Sequence, residues 1–69
     1  MNAGLRLLIE DVRYIDSKLD HPAYRFQRSI LEAHRRETVH QAARQIAIMR
    51  EQGATFDEQV QAFITQEGL

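Results

Sequence analysis

The feature that most constrains the fold is an apolar repeat near the start of the chain. Aliphatic residues recur there at alternating steps of three and four, at Leu5, Leu8, Val12, Ile15 and Leu19. Because an α-helix has about 3.6 residues per turn, this spacing puts them in one stripe along one side of a helix. The repeat predicts an amphipathic helix over residues 3–19 that needs a packing partner along its whole length.

A longer helix is predicted between a proline and a glycine. Pro22 suits the first position of a helix, since the N–H that proline lacks is unpaired there in any case. Gly53 supplies the left-handed residue at which many helices end. The helix is therefore expected over residues 22–52.

This long helix carries two apolar stripes that point in different directions. Phe26 and Ile30 lie on the first, which we expect to pack antiparallel on the N-terminal helix. Ile46 lies on the second, which we expect a third helix to cover. A single helix with two such stripes is expected to have two packing partners.

The third helix is predicted after the glycine. Thr55 and Glu58 have the spacing of a capping box, in which each side chain bonds to a backbone N–H of the first turn. A short helix over residues 55–66 follows. The sequence thus predicts an all-α fold in one domain, residues 1–69, made of a helical hairpin with one long central helix plus a short C-terminal helix.

The length of the chain favours self-association. A domain near 69 residues buries only about 60% of the surface that its unfolded chain exposes, and is marginal without an added constraint. The chain has no cysteine, which excludes disulfides and thiolate metal sites. We therefore expect a homodimeric bundle, with a dimer interface and core made by Leu5, Leu8, Val12, Ile15, Leu19, Phe26, Ile30 and Ile46.

Charge is distributed unevenly along the chain. Residues 25–50 hold six arginines and two glutamates, whereas residues 51–69 hold four acidic residues and no Lys or Arg. Tyrosine and arginine are the residue types that dominate the energetics of many protein interfaces. The candidate partner-binding residues are therefore Tyr24, Arg25, Arg28, Arg35 and Arg36. The alternative is a solvated helix face with local ion pairs, for example between Glu32 and Arg28.

Catalysis and metal binding find little support in the sequence. Glu37 and His40 could share one helical face, as in di-metal helix bundles, but the further glutamates of such a site are not directed at them. No serine lies beside a plausible base, and no glycine-rich loop follows a strand. We expect a protein that is not an enzyme and that needs no cofactor or metal.

Binding of DNA and binding of RNA remain as two alternative hypotheses. Residues 47–55 resemble the first helix and turn of a helix-turn-helix, but the helix that would read DNA is acidic. The arginine-rich long helix could instead clasp RNA in a dimeric helical hairpin. Nucleic acid is expected less than protein as the partner. Apolar runs are short, such as Leu7 to Ile9, and none exceeds four residues, far below a membrane span of about 20 residues, so we expect no membrane partner and a cytoplasmic location.

Three segments cover most of the chain: MNAGLRLLIEDVRYIDSKLD, HPAYRFQRSILEAHRRETV and GATFDEQVQAFITQEGL. In length and helical layout the whole chain resembles the small quorum-sensing anti-activators of Mu-like Pseudomonas phages. The resemblance includes no diagnostic motif and therefore assigns no functional residue. It implies a phage protein in the host bacterial cytoplasm that dimerises, binds an acyl-homoserine-lactone receptor of the transcription-regulator type and blocks it. The type IV pilus assembly ATPase is implied as a second host target.

Overall fold

The computed structural model describes residues 3–69, which form an all-α fold with a long central helical segment. Helix α1 runs over Ala3–Leu19, a 3-10 helix over Pro22–Gln27, α2 over Arg28–Glu51 and α3 over Glu58–Glu67. The predicted fold class and the order of the three helices are confirmed. Residues 1 and 2 of the predicted domain lie outside the described range. The fold is elongated, 42 × 20 × 19 Å.

The core lies where α1, the C-terminal half of α2 and α3 meet. Its cluster of buried side chains comprises Leu5, Ile9, Val12, Ala42, Ile46, Val60 and Phe63. Burying one large aliphatic or aromatic side chain stabilises a fold by about 1.5–3 kcal/mol. Of the predicted core residues, Leu5, Val12, Ile15 and Ile46 are buried, whereas Leu8 and Leu19 are half-buried.

The prediction that Phe26 and Ile30 pack on the first helix is wrong within the single chain. Phe26 is 87% exposed and Ile30 is 73% exposed. The stripe of α2 that faces the core continues instead through Arg35 and Thr38, at three- and four-residue steps from Ala42. Thr38 is buried, and its Oγ1 donates to the His34 carbonyl at 2.9 Å. Two polar residues therefore extend the core-facing stripe of α2, in place of the apolar stripe that was expected to pack on α1.

Two helix starts also differ from the prediction. The segment after Pro22 forms a six-residue 3-10 helix, and the α-helix proper begins at Arg28. The cap of α3 is Asp57 rather than Thr55, because the Asp57 carboxylate accepts from the Val60 N–H at 2.9 Å. Gly53 follows α2 with φ +74°, as its predicted stop role requires.

Candidate partner-binding surface

One end of the helical hairpin is built by the end of α1, a short turn and the 3-10 helix. His21 caps the 3-10 helix, since its Nδ1 accepts from the Ala23 N–H at 3.1 Å. Pro22 then takes the first helical position, where its fixed φ angle suits the helix. The turn brings the last residues of α1 close to Tyr24.

Lys18 lies between two tyrosines at this end. Its Nζ is 4.5 Å from the centroid of the Tyr14 ring and 5.4 Å from that of the Tyr24 ring. His21 meets Tyr24 edge-on, with ring centroids 5.8 Å apart. An exposed cation over an aromatic ring is worth about 0.5–1 kcal/mol. These contacts hold both tyrosine rings in defined positions at the surface.

Arginine and phenylalanine follow Tyr24 in the 3-10 helix and at the start of α2, at the same end of the hairpin. The Arg25 guanidinium carbon lies 4.8 Å from the centroid of the Phe26 ring. The Arg28 Nε is 2.7 Å from a carboxylate oxygen of Glu32, one helical turn further on. We call the set the hairpin-end surface, which comprises Tyr14, Lys18, Tyr24, Arg25, Phe26 and Arg28.

Arg35, predicted to bind a partner, is engaged within the chain instead. Its Nε donates to Asp16 at 2.6 Å, and its Nη1 and Nη2 donate to Glu67 at 2.9 and 2.8 Å. The hydrogen bonds to Glu67, and to a smaller extent those to Asp16, raise the pKa of the Arg35 guanidinium above its usual value, so the guanidinium stays charged. Arg35 therefore links α1, α2 and α3, and its donors are directed inward.

Arg36 also lies apart from the hairpin-end surface. It is exposed on α2, eight residues beyond Arg28, which is about 12 Å further along the helix axis at 1.5 Å per residue. Three of the five predicted binding residues, namely Tyr24, Arg25 and Arg28, therefore lie at the same end of the hairpin. The other two occupy separate places on the long helix.

Sequence reasoning missed three members of the hairpin-end surface. Phe26 was assigned to the core because an aromatic residue on an apolar stripe is usually buried. Tyr14 and Lys18 are four residues apart on α1, which is a spacing at which helical side chains meet. That spacing could have indicated the pair. The contact of Lys18 with Tyr24 depends on the turn and has no local signal.

Chemical sites other than this surface are not evident in the described part of the chain. Among residues 3–69, no three His, Asp or Glu side chains are grouped so that they could hold a metal ion. None of the helices in this range combines the length and apolar character needed to cross a bilayer. No protein-family model, curated protein or solved structure matches the chain.

Proposed function

We propose that this protein is a small inhibitor that acts by binding other proteins through the hairpin-end surface. The observation that carries the proposal is the 87% exposure of Phe26 beside Arg25, at the end of the hairpin where two tyrosines are held around Lys18. Large aromatic rings and arginines supply most of the binding energy in many interfaces when a partner removes them from water. An exposed cluster of these types fits that role.

The partner class comes from the resemblance in length and helical layout to phage anti-activators. On this proposal the protein works as a homodimer in the host cytoplasm and binds a quorum-sensing transcription regulator of the acyl-homoserine-lactone receptor type. Binding blocks the activity of the regulator. The type IV pilus assembly ATPase is a second host target, and the protein performs no catalysis.

Capture from a host lysate, followed by mass spectrometry, tests the partner class. A purified regulator or ATPase is then titrated with single alanine variants at Tyr24, Arg25, Phe26 and Arg28. Losing a well-desolvated side chain at the centre of an interface costs about 2 kcal/mol or more. At least one variant should therefore weaken binding more than about tenfold, with unchanged helicity by circular dichroism.

Two controls make the titration decisive. Arg13→Ala removes an exposed arginine from α1, outside the hairpin-end surface, and should bind as the parent does. Arg36→Ala tests the predicted residue that lies apart. If all four variants match the parent, the part of the surface formed by the 3-10 helix and the start of α2 is not the binding site, and the proposal is wrong. If the regulator and the ATPase are never captured, the partner class is wrong.

Salt separates this proposal from RNA binding. Lys18, Arg25 and Arg28 are three cations on one surface, and a grip on phosphates through them would weaken steeply with added salt. A protein interface that depends on the burial of aromatic rings need not lose affinity with added salt. Tight retention on mixed host RNA, lost between about 50 and 200 mM salt, would favour the RNA-clasping alternative. DNA reading by α3 is disfavoured, since Glu58–Glu67 contains no basic residue.

A further inference from the structure

The outer face of α2 carries six exposed positions at a regular spacing, one of which, His34, also reaches α1, with its Nε2 3.3 Å from Asp11 Oδ2. The six positions follow one another at steps of four, three, four, three and four. We call it the heptad face; it comprises Ile30, His34, Glu37, Gln41, Arg44 and Ile48. This is the spacing at which helices pack in coiled coils.

The geometry points to a second copy of this chain as the partner of the heptad face, packed antiparallel, α2 against α2. This inference rests on the homodimeric state within the proposed function and names its interface. The two ends of the face are apolar, with Ile30 73% and Ile48 54% exposed. They are 18 residues apart, about 27 Å at 1.5 Å per residue, and the pattern between them is polar.

The pattern is self-complementary in the antiparallel direction only. When residue 30 faces residue 48 of the second copy, residue 34 faces 44 and residue 37 faces 41. The members of the face alternate between the a and d positions of a heptad, and each facing pair joins an a position of one helix to a d position of the other, as in antiparallel coiled coils. The two-fold symmetry of the dimer repeats each contact. Both isoleucines of one copy meet isoleucines of the other. A parallel pair would instead place Glu37 against Glu37 and Arg44 against Arg44.

Charge also favours the antiparallel arrangement. Arg44 has no ionic partner within the described residues 3–69, and Glu37 is engaged only by the Gln41 amide, at 3.4 Å. Long side chains on a helix extend toward its N-terminus. In antiparallel α2 helices, Arg44 of one copy and Glu37 of the other therefore extend toward each other. The contact forms twice and fixes the register.

A groove at one end of the face has room for an aliphatic side chain. It is open, has a volume of about 390 Å³ and is lined by Gln41, Arg44, Gln45 and Ile48. The Gln45 Oε1 is buried there without a hydrogen-bond donor among residues 3–69. The pairing places Ile30 of the second copy against Ile48, at this groove.

Disulfide trapping tests the direction and register, since the chain contains no cysteine of its own. Ile30→Cys/Ile48→Cys should oxidise to a covalent dimer of twice 8.1 kDa, while each single variant should not. The two positions of one chain are about 27 Å apart and cannot bridge intramolecularly, because a disulfide needs Cα atoms within about 7 Å. Arg13→Cys/Arg36→Cys, on other exposed faces, is the matched control. Cross-linking of a single variant as efficient as that of the double variant would overturn the antiparallel pairing, and so would no cross-linking at all.

Charge exchange provides an independent test by sedimentation equilibrium. Glu37→Arg or Arg44→Glu alone should raise the dimer dissociation constant by roughly tenfold or more. The double exchange Glu37→Arg/Arg44→Glu should restore most of the affinity. The two residues are seven positions apart in one chain, about 10 Å along the helix, so recovery reports the contact between copies. Equal dimerisation in all three variants, or a parent that stays monomeric at about 100 µM, would reject the inference.

These experiments use the purified protein alone and therefore separate this inference from the proposed function. A chain that dimerises through the heptad face but captures neither the regulator nor the ATPase rejects the partner class only. A chain that binds the regulator as a monomer rejects the heptad interface only.

Discussion

Arg35 and Glu67 join the middle of α2 to the last turn of α3 through two hydrogen bonds, of 2.9 and 2.8 Å. The Glu67 side chain is only 10% exposed, so this carboxylate depends on the guanidinium for its solvation. Asp16 of α1 contacts the same guanidinium on its other edge. The cluster therefore joins all three helices near the C-terminal end of α3.

Removing Arg35 should destabilise the fold measurably. Hydrogen bonds to charged groups are worth roughly 1.5–3 kcal/mol, and Arg35→Ala would leave the largely buried Glu67 carboxylate without its charged partner, so we expect a loss of about 1–3 kcal/mol in the free energy of unfolding. Urea denaturation followed by circular dichroism measures it. Arg28→Ala is the control, because its exposed pair with Glu32 should contribute less than about 0.5 kcal/mol. Equal losses in both variants would contradict a structural role for Arg35.

Val12→Asp should abolish or severely weaken folding. Val12 is 2% exposed, in the cluster that joins α1 to α2 and α3. An unpaired carboxylate there is expected to cost about 3 kcal/mol or more, a large part of the stability of a small domain. Thermal melting by circular dichroism should lose its cooperative transition. A variant that melts like the parent would mean that this side of α1 is not buried in solution.

The start of α3 gives a paired prediction. Asp57→Ala should lower stability by about 1 kcal/mol, because the N-cap bond to the Val60 N–H is lost. Thr55→Ala should be close to neutral, since Thr55 lies outside the helix and makes no cap bond in α3. Chemical denaturation of the two variants side by side decides the position of the cap. The reverse order of effects would support the capping box predicted from Thr55 and Glu58.

Two phenylalanines of the chain should behave oppositely. Phe63 is 3% exposed in the core, so Phe63→Ala should cost about 3–5 kcal/mol. Phe26→Ala should change the free energy of unfolding by less than about 0.5 kcal/mol, because its ring is in water, while it should weaken binding of the host protein. Denaturation and binding titration of both variants test this. A strongly destabilised Phe26→Ala would show that its ring is buried in the folded protein.

The helices themselves could be predicted because periodic leucines, Pro22 and Gly53 are local signals. The face of α2 that packs on α1 could not be predicted. Thr38 and Arg35 occupy the core-facing stripe of α2, and because they are polar the sequence did not show that the stripe continues through them. Their partners on α1, Asp11 and Asp16, are far away in the sequence. Ile30 looked like a core residue for the same reason, since apolar character marks a stripe but does not say what covers it.

The candidate surface was predictable only in part, for a related reason. Tyr24, Arg25 and Arg28 could be chosen by residue type alone, since such residues dominate many interfaces. Their neighbours could not, because Lys18 reaches Tyr24 across the turn. The loss of Arg35 from the set follows from two carboxylates that are distant in sequence, at positions 16 and 67.

The two tyrosines around Lys18 also give the protein an optical property. The chain has two tyrosines and no tryptophan, and both tyrosine rings lie at the hairpin end, on either side of one ammonium group. Tyrosine fluorescence therefore originates from that end alone, whereas far-ultraviolet circular dichroism reports on all the helices. A ligand that docks at the hairpin end should change the emission without changing the ellipticity. An unlabelled sample thus distinguishes docking there from a change of fold.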